Sequence, residues 1–485
     1  MKLLKIALVA SEGIPFSKTG GLADVVGALS SKLSSLGCEV KVFLPLHQQT
    51  KRHSFGIEIF ERYLTIDLGN KTIAFSLHHC QKEKVDFYFI EKDEYFDREP
   101  LYGTPWGDYS DNALRFAFFS KAILDCIFRL EWKPDIIHAN DWQTALVPFY
   151  LKYGFKDADF FKNTKVLFTI HNLAYRGLFG PGVLPEIGIS YDFFKPESLE
   201  FYGNASLIKA GILYSDAIST VSEAYSREIL AQGSGWGLDG LLRMRRKDLY
   251  GILNGVDYSC WDPGKDQFIK AQYDTGNLQN KLECKKDLLF IMGLPERLHF
   301  PLLGTISRLT EQKGIDIIIE SANRLMQWGC NLVILGMGEE RYEKALTGLA
   351  ERYPGHIAVK IGFDNALSHK IEAGCDMFLM PSRYEPCGLS QMYSLKYGTI
   401  PIVRAVGGLD DTIVDYTQNP EVGNGFKFKE ASPLAFIDAL ERGVFLFKDK
   451  EAWRNLTARA MKADFSWERS AREYIKLYEG IVAKG

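Results

Sequence analysis

Short apolar runs alternate with amphipathic stretches along nearly the whole chain, and halfway through the alternation starts again. In the first half the runs fall at residues 5–10, 39–44, 86–90, 135–138, 166–169, 217–220 and 249–253. Helical periodicity lies between many of them, as at 21–36 and 112–129. Apolar residues at 22, 25, 26, 29, 33 and 36 sit close to one face of the first helix. In the second half the runs fall at 302–306, 332–335, 357–361, 377–380 and 400–403, each bounded by glycine, proline or polar residues. Strand and helix in alternation predict a parallel sheet covered by helices. Two such series predict an α/β chain of two doubly wound, Rossmann-like domains, and 485 residues suit two domains. Parallel sheets take ligands at the carboxyl ends of their strands, so two facing sheets predict a ligand in the cleft they form. The hinge is expected near 249–255, with a second crossing near 462–467.

Composition narrows the function. Hydrophobic residues make up 46% and charged residues 25%, the balance of a soluble globular protein. A net charge of −3 gives no basic face for nucleic acid. The short run Arg243, Arg245, Arg246, Lys247 reads as a solvated helix end. Eight cysteines are scattered without a C-x-x-C pair, as suits reduced thiols in a cytoplasmic enzyme. No stretch approaches the ~20 apolar residues of a membrane span. The opening apolar run passes straight into Ser11-Glu12-Gly13, so it reads as a first strand with its loop and not as a signal peptide. There is no H-E-x-x-H, no carboxylate pair at metal spacing and no G-x-S-x-G elbow, which disfavours a metal enzyme or an α/β-hydrolase.

Three motifs follow strand ends. Lys18-Thr19-Gly20-Gly21-Leu22-Ala23-Asp24-Val25-Val26 opens the first helix, where free N–H groups and Lys18 suit a pyrophosphate. Ser307-Arg308-Leu309-Thr310-Glu311-Gln312-Lys313-Gly314 is read as following a strand that ends at Ile306. Arg308 offers a bidentate fork there and Lys313 a point charge. Pro381-Ser382-Arg383-Tyr384-Glu385-Pro386-Cys387-Gly388-Leu389-Ser390 precedes a helix. Glu385 can accept from sugar hydroxyls, and the amides of Gly388, Leu389 and Ser390 can meet phosphate. The alternative for the first is an ordinary strand–helix turn with a solvent lysine, and for the second a charged loop. Cys387 reads as a packed thiol, not a nucleophile. His138-Ala139-Asn140-Asp141-Trp142 and Thr169-Ile170-His171-Asn172-Leu173 end successive strands, which brings Asp141 and His171 to one edge. Asn254-Gly255-Val256-Asp257 lies at the hinge, and Gly336-Met337-Gly338 reads as a turn.

Taken together these motifs resemble the bacterial glycogen synthase and starch synthase family. Asp111-Asn112 with Arg115-Phe116, His171-Asn172-Leu173-Ala174-Tyr175, Leu253-Asn254-Gly255-Val256-Asp257, Leu395-Lys396-Tyr397-Gly398-Thr399 and Asp464-Phe465-Ser466-Trp467 extend the resemblance over essentially the whole chain. The resemblance implies a GT-B fold, with a starch-synthase-type catalytic domain at 1–250 and a group 1 glycosyltransferase domain at 251–463. A C-terminal helix at 464–485 is expected to cross back to the first domain. It implies retaining transfer from ADP-glucose to the non-reducing 4-OH of an α-1,4-glucan such as glycogen (EC 2.4.1.21), with no cofactor, metal, nucleic acid or membrane partner.

By matching position, Lys18, Gly20, Gly21, Arg308 and Lys313 look like the groups that hold ADP and the donor phosphates. Glu385, Cys387, Gly388 and Leu389 look like glucose and phosphate contacts. Glu12, Asp141, His171, Asn172 and Asn254 look like sugar-side contacts. The resemblance makes His171, Asp141, Glu385, Arg308 and Lys313 the catalytic set, with front-face transfer and a cleft that closes over the donor. The chain departs from the family where Asn140 and Gln143 stand at positions more often occupied by histidine. Tyr393 stands where the wider retaining group often has a second glutamate. Two rival readings are a sucrose- or trehalose-phosphate synthase and a glucan-binding protein without catalysis.

Overall fold

The computed structural model describes residues 3–104, 107–155 and 159–484. The chain forms two units, each with its own largely or wholly parallel sheet. The first holds Met1–Val221, Ser226–Ile252 and Trp467–Gly485, and the second holds Ser222–Tyr225 and Leu253–Ser466.

In the first unit the elements used below are β1 (Lys5–Val9), α1 (Gly21–Ser35), β2 (Glu39–Pro45), β3 (Glu58–Leu68), β4 (Lys71–Lys82), β5 (Val85–Glu91), β6 (Ile136–Asn140), β7 (Lys165–Ile170), β8 (Ala217–Thr220) and β9 (Leu249–Gly251). Among the described residues they form one sheet in the order β9-β8-β7-β6-β1-β2-β5-β4-β3. The central strands are parallel, and β3 and β4 add an antiparallel hairpin at one edge. That hairpin escaped the strand reading because it is not an apolar run. In β3 only Leu64, Ile66 and Leu68 are buried, at every second position, while Tyr63, Thr65 and Asp67, which alternate with them, are exposed.

The strand order reverses at β1. Chain passing from β1 goes one way to β2 and the other way to β6, so the loops after β1 and β6 splay apart and leave a crevice at their carboxyl ends. Leu22, Val25, Val26, Leu29 and Leu33 of α1 bury one helical face in this unit's core. The C-terminal helix, Trp467–Ala483, joins the same core through Trp467, Ala471, Tyr474, Tyr478 and Ile481. Each such buried large side chain contributes about 1.5–3 kcal/mol. The Tyr478 hydroxyl hydrogen-bonds His138 Nδ1 at 2.8 Å, which ties this helix to β6.

The second unit uses α2 (Gln279–Ile291), β10 (Leu302–Leu309), α3 (Ile315–Gln327), β11 (Asn331–Gly338), β12 (Ile357–Ile361), β13 (Met377–Met380), α4 (Ser390–Lys396), β14 (Ile400–Arg404), β15 (Phe426–Phe428) and α5 (Lys450–Met461). Its sheet runs β12-β11-β10-β13-β14-β15 and is parallel throughout. This is the 3-2-1-4-5-6 order of a dinucleotide-binding fold, with its switch point between β10 and β13.

Three sequence readings are corrected here. Gly336-Met337-Gly338 is not a turn but the end of β11, paired with Ser307, Arg308 and Leu309 of β10. A side chain at 336 would lie 2.2 Å from the Ser307 carbonyl oxygen, so glycine is what lets the pairing continue. Arg308 therefore stands on the end of β10 and not in the loop after it. Arg245 is not solvated. Its guanidinium donates to the carbonyls of Ile212, Leu213 and Ser215, and it closes the end of the helix Leu207–Tyr214. Its neighbours Arg243, Arg246 and Lys247 are exposed. Among the described residues no helix is long and apolar enough to cross a membrane.

Candidate active site

The first unit places its polar groups at its switch point. After β1, the buried carboxylate of Glu12 accepts from the backbone N–H and the hydroxyl of Thr19, the latter at 2.8 Å. Burial raises the Glu12 pKa above the usual carboxylate value, although the Thr19 bonds oppose it. Glu12 thus shapes the Lys18–Gly21 loop from below. Lys18 Nζ is exposed and paired with Asp24 at 2.7 Å. Gly20 is the N-cap of α1 in extended backbone, and no side chain caps that helix end. A side chain on Gly21 would meet nothing within 4 Å, and one on Gly20 only Glu12 Oε1 at 3.9 Å. The protein itself does not fill the space beside these glycines.

After β6 comes Asp141, with φ 57° and ψ 179°. Such backbone is close to glycine-only and costs about 1–3 kcal/mol in other residues. Its Oδ1 accepts the His171 N–H at 2.7 Å, and the Asn172 N–H also points to the carboxylate. Burial pushes its pKa up to about 7 against those two bonds, with the Glu12 charge adding to the rise. His171 follows β7. Burial lowers its pKa to about 3, so the ring is neutral at ordinary pH. Asn140 Nδ2 donates to the carbonyls of Val9 and His138, which turns its Oδ1 toward His171 Nε2 at 2.9 Å. With that oxygen as acceptor, Nε2 carries the proton and Nδ1 is left as the ring's acceptor. Asn172 Oδ1 accepts the Ala174 N–H at 3.0 Å and so fixes the turn after His171. Asp141, His171, Asn172, Glu12 and the Lys18–Gly21 loop therefore lie on neighbouring strand ends of one sheet.

The second unit does the same at β10 and β13. Lys313 Nζ donates to Glu385 Oε2 at 2.5 Å, and Ser382 Oγ donates to the same oxygen at 3.1 Å. Glu385 is 6% exposed. Two further links tie the loop after β13 to the loop after β10 and to the start of α3. Gln312 Nε2 donates to the Tyr384 carbonyl at 3.2 Å, and Arg383 forks onto both oxygens of Asp316 at 2.8 and 2.6 Å. Arg308 is exposed and donates to Gln312 Oε1 at 3.4 Å. Cys387 is buried with its thiol pKa pushed up to about 12, so it is a packed thiol. Asn254 lies against it and is itself buried. Leu389 is the N-cap of α4, and no side chain caps that end. Gly388, just before it, has φ +70°.

Asn254 was expected at the site from the sequence, but Ser307, Thr310, Gln391, Ser222 and Gly408 were not picked out as contacts. The buried oxygens Ser307 Oγ, Thr310 Oγ1, Asn254 Oδ1 and Gln391 Oε1 have no hydrogen-bond partner among the described residues. Buried polar atoms are rarely left unpaired, and four on the segments around this switch point suit a polar ligand that completes them. Ser222 Oγ donates to the Pro386 carbonyl at 2.6 Å, and Gly408 N–H reaches the carbonyls of Glu385 and Pro386 at 3.2 Å. The glycine pair at 407–408 after β14 was the available signal for the second contact. Ser222 carried none, because it is 164 residues away in sequence.

Gly314 gives a direct test of how the two loops are joined. It has φ +67°, and a side chain there would come within 2.1 Å of the Pro381 carbonyl oxygen. Gly314→Ala is expected to destabilise by about 2–4 kcal/mol, combining left-handed strain with overpacking. A urea melt of the second-unit transition measures it, and kcat should fall as well because Pro381 leads into Glu385.

Residues 5–244 match the family described as starch synthase catalytic domain, and residues 294–462 match glycosyl transferases group 1. Two parallel-sheet Rossmann-like units with these matches define a glycosyltransferase of GT-B fold. The chain is 45% identical to the glycogen synthase of Geotalea daltonii over 99% of both chains, and 46% identical to that of Koribacter versatilis over 98% of both. The catalytic domain of starch synthase IV from Arabidopsis thaliana, bound to ADP and acarbose, superposes with a TM-score of 0.90 at 32% identity. That match covers 99% of this chain and all of the other. The chain belongs to the glycogen/starch synthase family and is an enzyme of its hexosyltransferase class.

Proposed function

We propose that the chain transfers glucose from ADP-glucose to the non-reducing 4-OH of an α-1,4-glucan, with retention, in the cytoplasmic synthesis of glycogen. The observation that carries this reading is the group of Arg308, Lys313 and Glu385 at the β10/β13 switch point, surrounded by buried polar atoms that lack partners. Two cations there suit a diphosphate leaving group, and preset charges of this kind are strong where water is excluded. Glu385 holds Lys313 in place and offers its second oxygen to a sugar hydroxyl. In the first unit Lys18 offers a further positive charge to the donor, and the open α1 end beside Gly20 and Gly21 offers N–H groups.

As the bond to ADP breaks, positive charge develops on the sugar ring. A neutral His171 beside an anionic Asp141 tolerates that charge, whereas an imidazolium would oppose it. The proton on the acceptor 4-OH passes to the departing phosphate oxygen on the same face. This gives retention with no covalent sugar–enzyme intermediate.

Lys18→Ala separates binding from folding. Its pair with Asp24 is exposed and worth at most about 1 kcal/mol, so the melting temperature should hardly move. Loss of a charge-assisted phosphate contact should raise KM for ADP-glucose about tenfold with little change in kcat. Steady-state kinetics with glycogen in excess checks it.

Donor and acceptor are tested together. ADP-glucose and UDP-glucose are supplied in parallel with glycogen or with glucose 6-phosphate. The reading expects transfer from ADP-glucose to glycogen. Transfer to glucose 6-phosphate but not to glycogen would instead make the chain a sugar-phosphate glucosyltransferase, and binding of glycogen without release of ADP would make it a glucan-binding protein.

A further inference from the structure

The second unit carries another group of cations, at the opposite end of its sheet. A cavity of about 430 Å³ opens against Leu298 and His299, which precede β10, and Gly374 and Asp376, which precede β13. Arg308 at the carboxyl end of β10, and Lys313 and Glu385 just after β10 and β13, lie at the other end of the same two strands. β10 is eight residues long, so at ~3.3 Å per residue the two ends are about 25 Å apart. The cavity is not part of the site described above.

Two helices supply most of its wall, and Phe447 comes from the helix Pro433–Lys448. α2 presents Lys281, Leu282 and Lys285, and α5 presents Lys450, Trp453, Arg454 and Thr457. On α5 these stand at i, i+3, i+4 and i+7, a single helical stripe. A stripe that only packs on a core is apolar, but each of these carries two cations. Lys285 and Lys450 both approach the Phe447 ring, at 5.3 and 3.8 Å from its centroid. The one carboxylate lining the cavity, Asp376, is already held by Lys285 at 2.7 Å.

The two α2 lysines are built in. Lys285 also donates to the carbonyls of Leu298 and Phe300, and Lys281 to those of Ala373 and Tyr397 and to the Thr399 hydroxyl. Lys450 and Arg454 have no ion-pair partner among the described residues and are exposed at the cavity mouth. Four cations thus stand around one carboxylate. Burial lowers the Lys450 pKa, while the Asp376 charge opposes the fall and the Lys285 charge adds to it. A dianion in the cavity would supply negative charge that one carboxylate does not. Leu278, Leu282, Phe447 and Trp453 add an apolar surface large enough for an organic group beside it.

We propose that this cavity is a binding site for a small organic phosphomonoester, such as a sugar phosphate or nucleoside monophosphate, separate from the donor site. Lys450 and Arg454 close on the phosphate from the mouth, Lys281 and Lys285 set the field behind it, and the apolar wall takes the organic part.

The test is calorimetric titration of the full chain, saturated with ADP, using inorganic phosphate, ribose 5-phosphate and adenosine 5′-monophosphate at up to millimolar concentration. At least one organic ester should bind more tightly than inorganic phosphate without displacing ADP. Lys450→Glu combined with Arg454→Glu should weaken that binding about tenfold or more while leaving ADP affinity and the melting temperature unchanged. Both residues are exposed, so the variant is expected to fold. Three outcomes would overturn the proposal: no ester binds, the ester competes with ADP, or the doubly substituted chain binds it equally well. Equal affinity for inorganic phosphate and both esters would overturn the role of the apolar wall. If ADP itself fails to bind, the donor reading fails, and the titration repeated without ADP still tests this cavity.

Discussion

Glu385→Gln is expected to lower kcat about a hundredfold, the scale of losing one preset charge at a transition state. In the resting protein this carboxylate is 6% exposed and holds Lys313 and Ser382 through one oxygen. Glutamine keeps the shape but removes the charge that aims Lys313. It can still accept from Lys313, so the cost in stability should stay within about 1–3 kcal/mol. The melting temperature therefore falls modestly while turnover falls steeply. KM for ADP-glucose should change far less than kcat, because Arg308 and Lys18 remain. A purely structural Glu385 would give the reverse: a large loss of stability and near-normal kcat in the protein that stays folded.

Asp141→Asn is expected to lower kcat by about 10²–10³-fold and to remove a pH dependence. With the Asp141 pKa pushed up to about 7, the wild-type carboxylate takes up its proton as pH falls below neutrality. If the anion supports charge on the sugar ring, log kcat should drop with a slope of about one below that pH. His171 does not titrate in this window, because its pKa lies near 3. The asparagine variant should be slow and flat from mildly acid to mildly alkaline pH.

Stability carries the same signature with a definite sign. Unfolded, this carboxyl loses its proton near pH 3.9; folded, it keeps the proton until about pH 7. Between those values the folded state binds more protons, so this group's contribution to stability is full below about pH 4 and declines as pH rises to 7. Asparagine does not titrate, so urea midpoints of the variant should gain on wild type between pH 4 and pH 8.

Much of the fold was legible because parallel strands buried on both faces read as plain apolar runs, as at β1, β7, β8 and β13. The β3–β4 hairpin was not, since its signal is an alternation on a half-exposed edge. β15 was missed because three residues are too few to carry a period. Gly336 and Gly338 look like a turn in sequence, yet here glycine marks a close approach of backbone within a strand.

The site was legible at the level of which loops matter. Asp141, His171, Arg308, Lys313 and Glu385 all stand at or just after the ends of strands that border the two switch points. The pairings were not legible. Sequence offers no sign that Lys313 meets Glu385, that Asn140 fixes the His171 tautomer, or that Glu12 supports Thr19, because each depends on chain folded back over distance. Asn140 stands where the family more often has histidine, and the structure gives it work as an acceptor that a protonated ring nitrogen could not do.

The most direct measurement is transfer from ADP-[¹⁴C]glucose to glycogen by the purified chain, followed by digestion with β-amylase, which removes α-1,4-linked maltose from non-reducing ends. Retaining transfer to the terminal 4-OH predicts label in the polymer equal to the ADP released, and recovery of that label as maltose. Release of ADP with label left as free glucose, or polymer label that β-amylase cannot remove, would contradict it.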